Sequence, residues 1–273
     1  MIDIKSEKEI QIMRDGGKIL AEVLDKVLDH ARVGVSELEL DALAERLIKE
    51  KGAEPGFKKV KGYHHAICTS TNDVVVHGVP TNYKLNPQDI IGIDCGVYYK
   101  GYNTDAAQTV RIQNSTLRLR DAPSGAPLRS GQEFKIQNYD EIDRFLETGK
   151  RALEEAIKDA KVGNRVGHIS KTIQNIIEGQ GYSVVRSLVG HGVGESLHEE
   201  PEVPGFLSGK IENTPKLMAG MTIAIEVIYN MGKQDVIYGS GDGWTIKTKD
   251  HSLSGLFERT VAITQDGHII LTQ

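Results

Sequence analysis

Two aspartates lie in neighbouring segments that have the composition of strands. Asp94 ends the apolar run IIGID, and Asp105 follows in YNTDAAQTV. If a hairpin turns at Tyr99-Lys100, the two carboxylates lie directly opposite each other on one face of adjacent strands. Such carboxylates repel each other unless they share a proton or hold a cation. A solvent-facing Asp94 is the alternative, although its strand is apolar on both sides, as in a covered central strand.

Three more residues of metal-ligand type have apolar or glycine-rich surroundings. His191 lies in VGHGVG, where small neighbours let the imidazole approach a ligand closely. Glu226 lies in the strand-like AIEVI, and a buried carboxylate is costly without a cation or a proton. Glu258 lies in LFERTVAI; an ion pair with Arg259 is the alternative there, but adjacent strand residues point to opposite faces.

The combined set is rich in oxygen ligands, which suits two divalent ions with bridging carboxylates. It is too acidic for a structural zinc site, which favours cysteine and histidine. The sequence therefore offers five candidate ligands for two divalent ions: Asp94, Asp105, His191, Glu226 and Glu258.

The elements that must position these residues begin with two helices. Ser6 and Glu9 form a capping box, and apolar residues then recur at helical spacing. A second box at Ser36 and Glu39 predicts another helix, which stops at Gly52, a plausible left-handed C-terminal position.

The same pattern returns 129 residues later. The glycines at 34 and 52 correspond to those at 163 and 181, and each half continues into an apolar strand that carries a carboxylate. Amphipathic helices resemble one another, so coincidence is the alternative to a true repeat. We predict a single α+β domain over 1–273 with pseudo-two-fold halves, whose central antiparallel sheets are covered by helices.

Residues 113–140 interrupt this repeat. They include the loop-forming stretch DAPSGAP between short apolar runs, which suggests a surface insertion with the form of a β-hairpin.

Deleting the tip of this insertion, residues 121–129, is expected to leave the activity of the predicted metal site largely intact, because shortening a surface loop is usually tolerated. Steady-state kinetics of the deletion variant, with its circular dichroism spectrum as the folding control, test this. A large fall in turnover in a folded variant would show that the segment lines the active site.

Composition excludes several classes of protein. A net charge of −5 gives no electrostatic footprint for nucleic acid. The chain shows neither a run of 18 apolar residues nor a signal-peptide pattern at its N-terminus, so we expect no membrane span. With only two cysteines, a disulfide framework is not expected, and the prediction is a reduced cytoplasmic protein.

Six strings resemble, in order, the signature segments of type I methionine aminopeptidases: HGVP, IDCGVYYKGYNTD, GHGVG, LHEEP, AIEVIY and DGWTIKTKDHSLSGLFERT. The resemblance covers nearly the whole chain apart from 113–140. It implies the pita-bread fold, with a dinuclear site between the halves. It also implies removal of the initiator methionine from nascent proteins and peptides with a small second residue. A hydroxide bridging two metal ions is the nucleophile of such a reaction.

The resemblance also implies individual roles. Asp94 would chelate one ion, with Asp105 as a bridge, while His191 and Glu226 would ligate the other ion, and Glu258 would be the second bridge. Glu226 would also carry the proton to the leaving amine. His77 and His198 would contact the substrate or the reaction intermediate. The ions implied are Co, Mn, Fe or Zn, with the choice among them left open.

An apolar pocket for the methionine side chain is implied as well. Its walls would be Tyr63, Cys68, Leu197 and Trp244, and a thioether suits such a soft, partly aromatic surface. The family often has an aromatic residue where this chain has Leu197, which predicts a looser pocket. The alternative for Cys68 and Trp244 is an ordinary place in the core.

Partners and rival functions follow from the same resemblance. The partners would be the N-termini of peptides and nascent chains near the ribosomal exit tunnel, and the protein would be a monomer. One rival is another pita-bread enzyme, such as a prolidase-like protein, but those usually carry a further N-terminal domain. The other is a peptide-binding relative that has lost its metals. Type II aminopeptidases have a long insertion where only 31 residues separate Glu226 from Glu258 here.

Overall fold

The computed structural model of the protein describes residues 2–113, 130–239 and 241–273. Its α-helices are α1 (Glu7–His30), α2 (Glu37–Glu50), α3 (Ser130–Lys158) and α4 (Val166–Gly179). The strands are β1 (Glu54–Pro55), β2 (Ile67–Thr71), β3 (Val74–Val76), β4 (Ile90–Tyr99), β5 (Tyr102–Arg111), β6 (Ser183–Val184), β7 (Val189–Gly192), β8 (Glu199–Pro204), β9 (Thr222–Asn230), β10 (Val236–Tyr238), β11 (Ile246–Thr248), β12 (Ser254–Thr264) and β13 (Gly267–Ile270).

One large antiparallel sheet joins the two halves of the chain. Its order is β1-β4-β5-β12-β9-β7-β8, with β2 also paired to β4, β6 to β9 and β13 to β12. A small sheet of order β10-β11-β3 accompanies it. The strand β12 connects the halves, because it pairs with β5 on one side and with β9 on the other.

Helices cover one face of this sheet, and the alternation of side chains leaves the carboxylates on the other face. In the first half, Ile93 and Cys95 of β4 pack into a core with α1 and α2. In the second half, Ile225 and Val227 of β9 pack into a core with α3 and α4. Because successive strand residues point to opposite faces, Asp94 is directed away from the helices.

The internal repeat is confirmed in the backbone. Gly34 and Gly163 follow equivalent helices with φ values of +87° and +94°, and Gly52 and Gly181 have φ values of +73° and +83°. These left-handed angles are favoured by glycine, and they end or connect the paired helices of each half in the same way. The predicted α+β fold with helix-covered antiparallel sheets is therefore correct.

Both predicted capping boxes are present. The backbone N–H of Ser6 donates to Glu9 Oε2 at 2.6 Å, while the Glu9 N–H donates to Ser6 Oγ at 3.4 Å. Ser36 and Glu39 form the equivalent pair at 2.8 and 3.3 Å. These contacts fix where α1 and α2 begin.

The predicted register of the β4–β5 hairpin is wrong by two residues. Tyr99 pairs with Tyr102, so Asp94 lies opposite Ala107 and not opposite Asp105. The turn consists of Lys100 and Gly101, with φ values of +48° and +99°. Positive angles at both positions are typical of the tight hairpin turn whose twist matches the strands. A shift of two residues preserves the face, so both aspartates still lie on the same side of the sheet.

The proposed insertion differs from its predicted form in the part that the structure describes. Residues 130–140 belong to helix α3, not to a hairpin. The tip, residues 114–129, lies outside the described residues. None of the helices in the described residues is both long enough and apolar enough to span a membrane.

Candidate metal centre and substrate cleft

Three acidic residues and one alanine form a row across four neighbouring strands of the sheet. Asp94 on β4 pairs with Ala107 on β5, and Ala107 pairs with Glu258 on β12. Glu258 in turn pairs directly with Glu226 on β9. Paired residues share a face and lie within a few ångströms of each other, so the register itself brings carboxylates from both halves together.

Asp105 and His191 complete this group. Asp105 lies two residues before Ala107 on β5, and His191 lies opposite a residue two positions before Glu226. Asp105 is held by Thr260, whose hydroxyl accepts from its N–H at 2.9 Å and donates to its carbonyl oxygen at 2.8 Å. His191 on β7 pairs with Ala224, which shares a face with Glu226. Asp105, His191 and Glu258 each offer a ligand atom, and these atoms all lie within 4.8 Å of one another.

The imidazole of His191 is oriented for metal binding. Its Nδ1 lies 2.8 Å from the carbonyl oxygen of Gly192, a contact that places the ring proton on Nδ1. Nε2 then faces Glu226, 3.6 Å from its Oε1. Burial lowers the pKa of His191 to about 4, so the ring is neutral at neutral pH, as a ligand must be.

Burial disfavours ionisation of all four carboxylates, and the charge of a neighbouring carboxylate adds to this effect at Asp105, Glu226 and Glu258. The pKa of Asp94 is raised to about 7, chiefly by burial. Burial and the charge of Asp94 raise the pKa values of Asp105 and Glu226 well above their ordinary range. Burial and the charge of Asp105 do the same for Glu258, whose neighbour Arg259 donates instead to Gln108 Oε1 at 3.0 Å.

The donor set fits a divalent metal centre. Three buried carboxylate oxygens in it have no hydrogen-bond partner: Asp94 Oδ1, Asp105 Oδ1 and Glu258 Oε1. Buried polar atoms are normally paired, so these three carboxylate oxygens require a cation or shared protons. Hard oxygen ligands with one imidazole are suited to Mn, Fe, Co or Zn ions.

In the metal-free protein, the free energy of unfolding is expected to fall as pH rises from about 4 to about 7, relative to an Asp94→Asn variant. Over this window the folded chain keeps a proton on Asp94, whose pKa is about 7 against an ordinary 3.8, while the unfolded chain has lost it. Folding then requires proton uptake, so stability decreases with pH.

Denaturant unfolding of the chelator-treated wild type and the Asp94→Asn variant across this pH range measures the effect. The histidines with lowered pKa values contribute an opposite slope, but they are common to both proteins and cancel in the difference. Identical slopes for the two proteins would contradict the burial of an ionisable Asp94.

Two further histidines lie beside the acidic cluster. The His198 ring centroid is 4.4 Å from that of His191. His77 follows β3 and has an uncommon φ of +55°. Burial lowers the pKa values of His77 and His198, so both rings are neutral at neutral pH. Both line the two cavities that meet at the cluster.

An apolar cavity of about 110 Å³ opens from the cluster towards the first half. The four residues predicted as pocket walls all line it: Tyr63, Cys68, Leu197 and Trp244. The Tyr63 and Trp244 rings meet edge to face with centroids 5.2 Å apart, and the Tyr63 hydroxyl donates to the Ile67 carbonyl oxygen at 2.8 Å. The polar end of Tyr63 is thus satisfied, which leaves an apolar surface towards the cavity.

Three further residues of the cavity wall are not evident from the sequence. Phe57, Val60 and Val76 also line the cavity. A β-carbon at Gly96 would lie 2.6 Å from Phe57 Cε1, so the glycine of β4 makes room for that ring. In the sequence, Gly96 indicates that another group lies close to this strand, but it does not indicate that this group is the Phe57 ring.

A wider cleft of about 440 Å³ leads from the cluster to the surface on the other side. It is lined by His77, His191 and His198, by Glu199, Glu200, Glu202 and Glu226, and by Val76, Leu188, Val189 and Ile228. A chain whose first side chain occupied the apolar cavity would therefore extend past the cluster along this cleft.

Buried carboxylates around an imidazole, between a small apolar cavity and a wider cleft, define a metal-dependent hydrolase. The comparisons agree with that class: residues 11–265 match the family model described as metallopeptidase family M24. A methionine aminopeptidase from Clostridium perfringens is 40% identical over 272 residues, covering 100% of this chain and 99% of that protein. The chain thus belongs to metallopeptidase family M24, among its methionine aminopeptidases.

Solved structures place the fold in the same family. The methionine aminopeptidase from Rickettsia prowazekii has a TM-score of 0.88 and 32% identity, covering 100% of both chains. The prolidase from Pyrococcus horikoshii has a TM-score of 0.72 at 24% identity, and the match covers 99% of this chain but only 63% of that one. The similarity to the prolidase shows only a shared pita-bread fold. It therefore does not favour the prolidase-like alternative.

Proposed function

We propose that the protein removes the N-terminal methionine from peptides and nascent chains whose second residue is small. The observation that carries this proposal is the small apolar cavity of about 110 Å³ beside the acidic cluster, a volume that suits a single side chain. A small cavity next to the ligand residues suits an exopeptidase, because the first side chain of a substrate can fill it while the rest of the chain lies in the wider cleft.

We assign two divalent ions to the site. Asp94 and Asp105 would hold one ion, His191 and Glu226 would hold the other, and Asp105 and Glu258 would bridge them. Bound ions of this kind lower the pKa of water and polarise a carbonyl group. The unpartnered oxygens of Asp94, Asp105 and Glu258 support this assignment.

The protein's own side chains then have distinct tasks. Glu226, whose pKa is raised well above its ordinary range, can hold a proton on its carboxylate and pass it to the leaving amine. His77 and His198 are neutral, so each can donate a hydrogen bond to a carbonyl oxygen as negative charge develops there. The apolar walls exclude water from the methionine side chain and hold the scissile bond at the cluster.

Substrates would reach this site as they are made. The open cleft accommodates the residues that follow methionine, and we propose that it receives nascent N-termini near the ribosomal exit tunnel in the cytoplasm. We propose that the protein works there as a monomer, since one chain supplies every ligand and every wall of the cavity.

Release of methionine from a Met-Gly-Met peptide is the direct test. We expect efficient release from this peptide and at least about tenfold lower kcat/KM when glycine is replaced by leucine, because the second side chain must pass between the histidines and the cluster. Mass spectrometry of the products with Mn or Co supplied measures both reactions.

Two controls separate the rival functions. An Xaa-Pro dipeptide should be a poor substrate, and preferential cleavage of it would favour a prolidase-like activity. Tight peptide binding without hydrolysis, in protein shown to contain metal, would favour a non-catalytic peptide-binding protein.

A further inference from the structure

A buried ion pair joins the N-terminal segment to the loop that carries His198. The ammonium of Lys5 contacts Glu199 Oε2, although 194 positions separate the two residues. Their side chains are only 5% and 12% exposed. Lysine is seldom buried unless it is paired, and breaking such a pair leaves an uncompensated charge, so each partner fixes the position of the other.

Lys5 is itself rigidly placed. Its N–H donates to the carbonyl oxygen of Gly220 at 2.8 Å. Its aliphatic stem lies against Gly194, where a β-carbon would come within 2.5 Å of Lys5 Cε. A side chain at 194 would displace the ends of the Lys5 and Glu199 side chains, so the loop and the N-terminal segment fit each other closely.

Glu199 connects Lys5 to the part of the loop that carries His198. Its second oxygen, Oε1, accepts from the Ser196 N–H at 3.0 Å, which closes a short turn around His198. Glu199 also pairs with Gly192 on β7, next to His191. Glu199 is therefore held from three directions, and His198 directly precedes it.

The opposite side of the loop is held by the strand that carries Asp105. Asn103 Nδ2 donates to the carbonyl oxygens of Gly194 and Glu195 at 3.1 and 3.0 Å, and its N–H donates to Gly194 at 2.7 Å. Loop residues 193–199 thus lie between β5 and the N-terminal segment. Among these contacts, the Lys5–Glu199 pair is the one that adjoins His198.

We propose that Lys5 is a positioning residue that acts through Glu199 to hold the His198 imidazole at the mouth of the substrate cavity. This inference rests on the proposed function, since it takes His198 to contact the substrate. Misplacing an oriented polar group by about 1 Å can reduce a rate about a hundredfold, so a fixed loop matters for turnover more than for binding.

Replacing Lys5 with Met removes the charge while keeping the length of the stem. We expect kcat to fall about 10- to 100-fold, while KM changes less than about threefold and the metal content stays constant. Lys5→Arg, which keeps the charge, should retain most of the kcat of the unchanged protein. The matched control is Lys51→Met, which breaks the more exposed Lys51–Glu22 pair between α2 and α1 and should change neither constant.

A double-variant comparison tests the route through His198. In a His198→Ala background, Lys5→Met should lower kcat by less than about twofold, because the group it positions is absent. A further tenfold loss in that background would overturn the proposal, and so would an unchanged kcat for Lys5→Met alone. If Lys5→Met does not fold, Glu199→Gln tests the same route, with the same expected loss of kcat and the same non-additivity with His198→Ala.

A readout independent of turnover keeps this proposal separate from the proposed function. The NMR signal of the His198 ring, identified by its loss in His198→Ala, should shift in Lys5→Met and stay in place in Lys51→Met. A protein that releases no methionine but shows this shift would refute the proposed function alone. A catalytically active protein whose His198 signal does not move would refute the positioning role of Lys5.

Discussion

Removal of divalent metal is expected to lower methionine release more than about a thousandfold, and re-addition should restore it. The buried carboxylates are arranged to hold cations, and the cavity offers no competing nucleophile of comparable strength. Cys68 lines the cavity, but burial raises the pKa of its thiol well above the ordinary range, so it stays protonated and inert.

The measurement compares protein treated with a chelator and then desalted with the same protein after addition of Mn, Fe, Co or Zn. Metal analysis of each sample gives the number of ions per chain, which we expect to approach two. Thermal unfolding gives a second readout, because a ligand that binds only the folded state raises the midpoint. Full activity in samples free of metal would refute the proposed metal centre.

Replacing His198 with Ala is expected to reduce turnover by roughly two to four orders of magnitude while metal content barely changes. Replacing His191 with Ala should instead weaken one metal site, since alanine cannot replace the bond of a neutral imidazole. The two rings are 4.4 Å apart, yet only His191 lies among the clustered ligand atoms. The roles proposed for the two histidines thus predict different losses from neighbouring positions.

Metal stoichiometry and steady-state kinetics of the two variants distinguish these outcomes. Activity of His191→Ala should recover partly at high metal concentration, whereas that of His198→Ala should not. If His198→Ala lost an ion while His191→Ala retained two, the two roles would be reversed.

Features that depend on local sequence could be predicted well. The capping boxes at Ser6 and Ser36 use residues three positions apart, and the helices begin where these boxes indicate. Gly52 and Gly181 have the left-handed angles expected after a helix. Each of these signals is complete within a few residues, so no distant contact can override it.

The hairpin register was predicted incorrectly, although the local sequence contains the signal for the correct one. The Lys100-Gly101 pair has the glycine that a tight two-residue turn favours, and placing the turn there gives the correct register. The error left the candidate site intact because a shift of two residues keeps the aspartates on the same face.

Long-range placement explains what the sequence did not reveal. The pairing of Glu226 with Glu258 depends on which strands become neighbours, and only the resemblance to a family suggested that they meet. Nothing near Lys5 indicates Glu199 as its partner, and nothing near Phe57 indicates a place in the cavity wall. Such contacts arise from the complete sheet and have no local signature.

The central position of β12 has a consequence for synthesis of the chain. About 140 residues must follow β5 before β12 is made, and until then β5 lacks the neighbour it has in the finished sheet. An unpaired edge invites pairing with other chains, and an inward-pointing charge is a common protection against it. Before burial, Asp105 is an ionised carboxylate on that edge. Neutral variants at Asp105 are therefore expected to lower the soluble yield of the protein, in addition to weakening the proposed metal site.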